Sequence, residues 1–332
     1  MEIINRKKVF VTGGAGFVGS HLVDLLLENN CEVTCLVRKS TNLQWLNNKN
    51  VKIIDTGFDD QEKLTEAVKG SNIVFHVAGV VKAKKRKDYF AGNVKATQNL
   101  MDACLKTKAT IENVVVVSSL TAAGPAETEE GVCESDPCVP ITTYGISKLS
   151  QEHLVHGYMN ELPITIVRPP AVYGERDTEI FIFFNSFSKG VTTTIGSDRK
   201  LISLIYVKDL VKGIYEAGIS KISRGETYFI TSFHAYTWDE IIGATAKVFG
   251  KKALRFKVPH SILYLIAFFA QIASYFQSKA ATLNLEKARD ITQQYWTCSP
   301  KKALEKLNFK SEHNLESGIK STIDWYKKEG WL

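Results

Sequence analysis

The sequence predicts an α/β protein: a doubly wound parallel sheet followed by a smaller, mainly helical C-terminal region. Three observations carry this. Short, continuously apolar runs alternate with amphipathic stretches through the first half of the chain, and strands covered on both faces need apolar residues at every position. A glycine-rich turn, Thr12-Gly13-Gly14-Ala15-Gly16-Phe17-Val18-Gly19, separates the first run from the first amphipathic stretch. After Gly174 the alternation loosens, and the last hundred residues are rich in aromatics and helix-like.

In chain order, residues 8–12, 32–37, 51–55, 72–77, 113–118 and 164–168 read as buried strands. Residues 17–28, 61–69, 89–107 and 144–159 read as the helices between them, which is the βαβ alternation of a parallel sheet. Residues 175–203 read as irregular, with a further strand and helix near 204–217. The expected division is a nucleotide-binding unit over 1–174, with a segment returning to it near 204–232, and a substrate-binding region over 175–332.

Composition agrees with a soluble, cytoplasmic enzyme. The 332 residues, 44% hydrophobic, can bury a substantial core. The first strand begins within ten residues of the N-terminus, with no signal segment, and no apolar run is long enough to span a bilayer. The cysteines Cys31, Cys35, Cys104, Cys133, Cys138 and Cys298 show no metal-type spacing. Reduced thiols and no metal site are the expectation, although Cys133 and Cys138 resemble a pair. The net charge of +7 is spread out except for Lys82, Lys84, Lys85, Arg86 and Lys87. That cluster reads as a solvated loop or as a basic rim for an anionic substrate; no nucleic-acid motif accompanies it.

Two constellations carry chemistry. A glycine-rich turn between strand and helix is the context a Rossmann dinucleotide site requires. Gly13, Gly16 and Gly19 leave room for a tight turn, close pyrophosphate approach and close helix packing. The second strand ends in Val37-Arg38-Lys39. Arg38, with Lys39, suits the extra phosphate of NADP where an acidic residue would select NAD, which stays open. The second constellation is Ser119 with Tyr144 and Lys148. Tyr and Lys at i, i+4 share one side of a helix, so an ammonium there favours the phenolate and draws the Tyr pKa from about 10 towards neutrality. Ser119 supplies a second hydrogen bond to a substrate oxygen.

Together with Asn93-Val94-Lys95-Ala96-Thr97, Arg168-Pro169-Pro170-Ala171-Val172-Tyr173-Gly174 and Tyr206-Val207-Lys208-Asp209, these motifs make the chain similar to the extended short-chain dehydrogenase/reductases of the NAD-dependent epimerase/dehydratase superfamily. The resemblance covers nearly the whole chain, from about residue 7 to the Trp325-Tyr326 and Gly330-Trp331-Leu332 ending. It implies Tyr144 as acid/base, Lys148 as its partner and a holder of the nicotinamide ribose, and Ser119 as oxygen donor. The cofactor contacts it implies are Gly13, Gly16, Phe17, Val18, Gly19, Arg38, Lys39, Phe58, Ala78, Tyr144, Lys148, Pro170 and Val172. It also implies a homodimer through the helices after Asn93 and Tyr144, with apolar residues such as Leu100 and Leu154 extending beyond one stripe.

Three departures choose within the family. Gly57 stands where an adenine-contacting Asp is usual, Leu120-Thr121 where dehydratases place an Asp-Glu pair, and Ile202 where many nucleotide-sugar epimerases carry an Arg. Arg199 or Lys200 could substitute for that Arg. The pattern leans to the dihydroflavonol-reductase and 3-beta-hydroxysteroid-dehydrogenase-like group. The leading expectation is an NADP(H)-dependent oxidoreductase interconverting a carbonyl and a secondary alcohol on a hydrophobic small molecule. A nucleotide-sugar epimerase is the alternative, and a catalytically silent NAD(P)-binding regulator the second. Residues 262–270, apolar all round, read as core or interface, with a wall for an apolar substrate or a helix lying on a membrane as alternatives; the polar face is thin for a surface helix, and membrane association is not the expectation. His76 reads as structural.

Overall fold

The computed structural model describes residues 6–275 and 283–332, and in it the apolar runs of the first half form strands. These are β1 (Lys8–Thr12), β2 (Glu32–Leu36), β3 (Val51–Ile54), β4 (Ile73–His76), β5 (Asn113–Val117) and β6 (Ile164–Arg168). They pair in parallel in the order β3-β2-β1-β4-β5-β6. Successive side chains serve opposite faces, as strand geometry requires. Val9 and Val11 join the apolar cluster on one side, with Leu22 and Leu26. Phe10 joins the cluster on the other, with Leu100 and Val114.

The covering helices are α1 (Phe17–Glu28), α2 (Gln61–Val68), α3 (Arg86–Phe90), α4 (Ala96–Lys106), α5 (Leu120–Ala123) and α6 (Thr143–His156). The single helix expected over 89–107 is divided: a π-helical turn, Ala91–Lys95, lies between α3 and α4. Leu100 is fully buried in the subunit's own core, so it is not part of an outward stripe, whereas Leu154 is half-buried.

The second half continues with β7 (Ala171–Tyr173), α7 (Phe181–Ser188), β8 (Val191–Ile195), β9 (Leu201–Tyr206), α8 (Val207–Ile219), β10 (Thr227–Phe229), β11 (Ala235–Thr237) and α9 (Trp238–Phe249). It ends with β12 (Leu254–Val258), α10 (His260–Tyr275), α11 (Leu285–Thr292), β13 (Tyr295–Trp296), α12 (Lys301–Leu307) and α13 (Leu315–Lys328). β10 returns to the main sheet as its seventh strand, parallel to β6. Strand β9 carries a second small sheet with β7, β11 and β13, and β8 pairs in parallel with β12.

Residues 175–203 are therefore not irregular. Phe184 and Phe187 are buried from α7, and β8 alternates buried Thr192 and Thr194 with exposed neighbours. Threonine on the inner face hides the apolar alternation by which a strand is recognised. The C-terminal motif closes this half: Tyr326 stacks on Trp331 at 5.5 Å, and its hydroxyl donates to the Gly174 (3.2 Å) and Asp177 (2.9 Å) carbonyls.

Candidate active site

The strand order reverses between β1 and β4, and doubly wound sheets take ligands at the carboxyl ends of the strands there. At the end of β1, Gly16 is the N-cap of α1, and no side chain caps the first turn. Uncapped amides and the positive end of the helix dipole make an anion site. The Gly16 N–H donates to the Gly13 carbonyl at 2.9 Å, closing the turn. A Cβ on Gly19 would lie 2.1 Å from that carbonyl oxygen, so only glycine lets α1 start this close to the turn. Phe17 and Val18 pack their side chains into apolar clusters, which leaves their amides as the available contacts. Facing the turn, the Ala78 N–H donates to Thr12 Oγ1 at 3.3 Å. A cradle without side chains and with open amides fits the pyrophosphate of a dinucleotide.

Arg38 and Lys39 are exposed just beyond β2, and the Arg38 N–H donates to Thr41 Oγ1 at 3.0 Å. Arg38 bridges to Thr56, directly before Gly57, which stands at φ +67° with open space beside it. Phe58 is half-buried with its ring edge-on to His76 at 5.8 Å.

At the end of β5, the Leu120 N–H donates to the Pro169 carbonyl at 2.8 Å, which joins the turn at Ser119 to the segment that continues with buried Pro170 and half-buried Val172. Ser119 caps α5, accepting from the Thr121 N–H (3.2 Å) and hydroxyl (2.9 Å). The Thr142 side chain caps α6 by accepting from the Gly145 N–H at 3.0 Å. A Cβ at Gly145 would come within 2.3 Å of the Thr121 carbonyl, so glycine is what lets α6 close on α5. This sets the Tyr144 hydroxyl facing that of Ser119, which pulls the phenol pKa down against burial.

Lys148 is buried one turn on, and its Nζ donates to the Val117 carbonyl at 2.8 Å. Burial lowers its pKa to about 8, against the pull of Glu152. Burial also raises Tyr144 to about 12, opposed by the Ser119 hydroxyl and reinforced by Tyr89. Lys148 is not among the groups that shift Tyr144, so the lowering of the phenol expected from the i, i+4 spacing does not appear. The site holds Tyr144 as a protonated acid.

Several positioning residues lie outside the site residues that the sequence marks. Asn93, on the π-helical turn, accepts from the Val80 N–H (2.6 Å) and donates to the Val80 carbonyl (3.0 Å) and Ser147 Oγ (2.9 Å). It thereby joins the loop after β4 to α6. Buried Arg168 donates Nε and Nη2 to the two Glu152 oxygens at 2.9 and 2.6 Å, fixing α6 on β6. The Tyr89 ring lies 6.4 Å from that of Tyr144. His76 is buried between the Thr12 and Thr97 hydroxyls, each at 2.7 Å, and burial together with the Lys148 charge lowers it to about 3. It is neutral and structural, as expected.

Other expectations are redistributed. Lys82 pairs with Glu179 at 2.6 Å, and Arg86 and Lys87 lie on α3 rather than a loop. Cys133 and Cys138 are both free thiols. Arg199 pairs with Glu129 at 2.5 Å, and buried Lys200 donates to the Ile291 carbonyl at 2.9 Å.

The family model for the NAD dependent epimerase/dehydratase family matches residues 9–230. The chain is 26% identical over 338 residues to a ceramide reductase of Caulobacter vibrioides (strain NA1000 / CB15N), covering 98% of this chain and 96% of that one. It is 25% identical over 325 residues to a sterol-4-alpha-carboxylate 3-dehydrogenase, decarboxylating, of Dictyostelium discoideum, covering 94% and 99%. Its fold is similar to that of UDP-glucuronic acid 4-epimerase from Bacillus cereus in complex with UDP-glucuronic acid and NAD, with a TM-score of 0.77 at 24% identity, covering 97% and 99%. With the family model spanning the glycine-rich turn, Ser119, Tyr144 and Lys148, this chain belongs to the NAD dependent epimerase/dehydratase family, and so to the extended short-chain dehydrogenase/reductases.

Proposed function

We propose that the protein is an NADP(H)-dependent reductase or dehydrogenase that interconverts a carbonyl and a secondary alcohol in an apolar substrate, with the cofactor on residues 1–174 and the substrate against 175–332. The observation that carries this reading is the Ser119 hydroxyl facing Tyr144, with Lys148 buried one turn on. A nicotinamide bound beside it supplies or accepts the hydride. The rest is the work of this chain's side chains. In the reducing direction the Tyr144 phenol gives its proton to the substrate oxygen, and Ser119 steadies that oxygen as its charge grows. The Lys148 ammonium favours the phenolate left behind.

Three features favour a reductase over the epimerase alternative. Ile202, with no guanidinium, lies on β9 against Tyr236 and Trp296, where it cannot grip a diphosphate. Arg199 and Lys200 are engaged elsewhere. Two relatives bear the names of enzymes that act on lipids, a ceramide reductase and a sterol dehydrogenase. Calorimetry is expected to show no micromolar binding of UDP- or dTDP-sugars, while long-chain ketones drive NADPH oxidation. Micromolar binding of either sugar nucleotide overturns the reading.

The exposed Arg38 guanidinium has no ion-pair partner among the described residues, and it supports NADP as the cofactor. Arg38→Asp should raise the NADPH dissociation constant at least ~10-fold, the scale of a charge-assisted phosphate contact. A wild-type protein that binds NADH more tightly than NADPH contradicts this. The pH dependence follows from Lys148, whose charge is present below about 8 and lost above it. kcat/KM for carbonyl reduction should be level near neutrality and fall as pH rises through about 8. A profile level to pH ~10 would remove Lys148 from the proton-transfer step.

A further inference from the structure

We propose that the outward face of α10 is a docking surface for an anionic lipid bilayer. Among the described residues the helix is packed on one side only: Leu263 and Ala267 are buried against Ala288, Val258 and Ile291. Its outer half carries Ile262, Leu265, Ile266, Phe268, Phe269 and Ile272, all exposed, with Leu265 at 57% and Phe269 at 60%. Helical residues that face water are normally polar, so this is a contiguous apolar patch of the kind that marks an interaction site. The expected core role of residues 262–270 holds for one side of the helix alone: only Leu263 and Ala267 are buried there.

The patch continues onto β12. Leu254 and Phe256 are exposed and share a strand face with Val258, which packs under α10. A surface-lying helix ordinarily needs a polar face because water covers its other side. Here the protein covers that side, so the absence of a polar face is no objection. At 16 residues the helix is roughly 24 Å long, short of the ~30 Å hydrocarbon core. No helix among the described residues is long and apolar enough to cross a membrane. The geometry is that of a helix lying on a bilayer.

Charge selects the bilayer over a second copy of the chain. Residues 251–275 contain no Asp or Glu, while Lys251 and Lys252 stand exposed at the start of the patch and Arg255 and Lys257 are exposed on the alternate face of β12. Arg255 pairs with Asp239, but Lys252 and Lys257 have no carboxylate partner among the described residues. Two such faces brought together repel, whereas an anionic leaflet attracts juxtaposed lysines and accepts the apolar side chains between them.

The docked helix is tied to the active site. α11, packed against α10, carries Glu286, whose carboxylate accepts from the Thr143 N–H (3.2 Å) and hydroxyl (2.5 Å), directly before Tyr144. Docking therefore brings the catalytic edge to the leaflet from which an apolar carbonyl is drawn. This last step rests on the reductase reading; docking itself does not, and its test reads binding alone.

The test is co-sedimentation of the full chain with vesicles of phosphatidylcholine, with and without roughly a third phosphatidylglycerol. Binding to the anionic vesicles, weakened by salt, is expected. Leu265→Glu/Phe269→Glu should lower it at least ~10-fold, with NADPH binding unchanged as the control for folding. Lys252→Glu/Lys257→Glu, which leaves the helix untouched, should remove the preference for anionic over neutral vesicles. Wild type that stays in the supernatant with both vesicles overturns the proposal. So does a solution dimer that Leu265→Glu/Phe269→Glu converts to monomer, since that assigns the face to a second copy.

Discussion

Tyr144→Phe is expected to lower turnover at least ~100-fold while NADPH binding and thermal stability stay near wild type. The substitution removes one oxygen and keeps the ring, so packing against Tyr89 is retained. What is lost is the hydroxyl that α6 sets toward Ser119. The proton then has to come from solvent, into a site where the neighbouring Lys148 already holds the Val117 carbonyl. Ser119→Ala should cost less, because Tyr144 still reaches the oxygen without it. Steady-state kinetics with a fixed carbonyl substrate checks both, and near-normal turnover in Tyr144→Phe removes the proposed acid.

Gly19→Ala is expected to abolish cofactor binding at micromolar concentrations and to destabilise the fold. A single methyl group there would lie 2.1 Å from the Gly13 oxygen and 2.7 Å from its carbonyl carbon. Both atoms are backbone, so no side chain can swing aside. α1 must withdraw or the turn must open, and overpacking of this kind costs on the order of 1–3 kcal/mol. The same movement displaces the uncapped amides at Gly16 and beyond. Fluorescence titration of NADPH and a thermal melt measure the two effects. Wild-type affinity in this variant would place the cofactor away from the turn.

Much of this architecture is legible before any coordinates. The central strands β1, β4, β5 and β6 are buried almost throughout and read as apolar runs, and the ends of β1 to β6 fall within a residue of the expected positions. Ser119, Tyr144 and Lys148 are legible because helix periodicity and strand ends impose fixed spacings. Other features depend on partners distant in sequence. Thr192 and Thr194 hide a strand that only β12 completes. The π-helical turn that aims Asn93 has no compositional mark. The direction of the Tyr144 pKa shift depends on how deeply α6 is buried, which spacing does not encode. The face of α10 is the reverse case: its composition is plain, but only the fold shows which half of an all-apolar helix is covered.

The nicotinamide absorbance band, followed while an apolar ketone is supplied with NADPH, separates net reduction from its alternatives. A reductase built on Tyr144 and Ser119 consumes one NADPH for each alcohol formed, and the signal falls in proportion to product. Substrate converted without net change in the band would make the enzyme an epimerase. NADPH bound with no conversion of any carbonyl compound would make it a silent regulator, and either result contradicts the account.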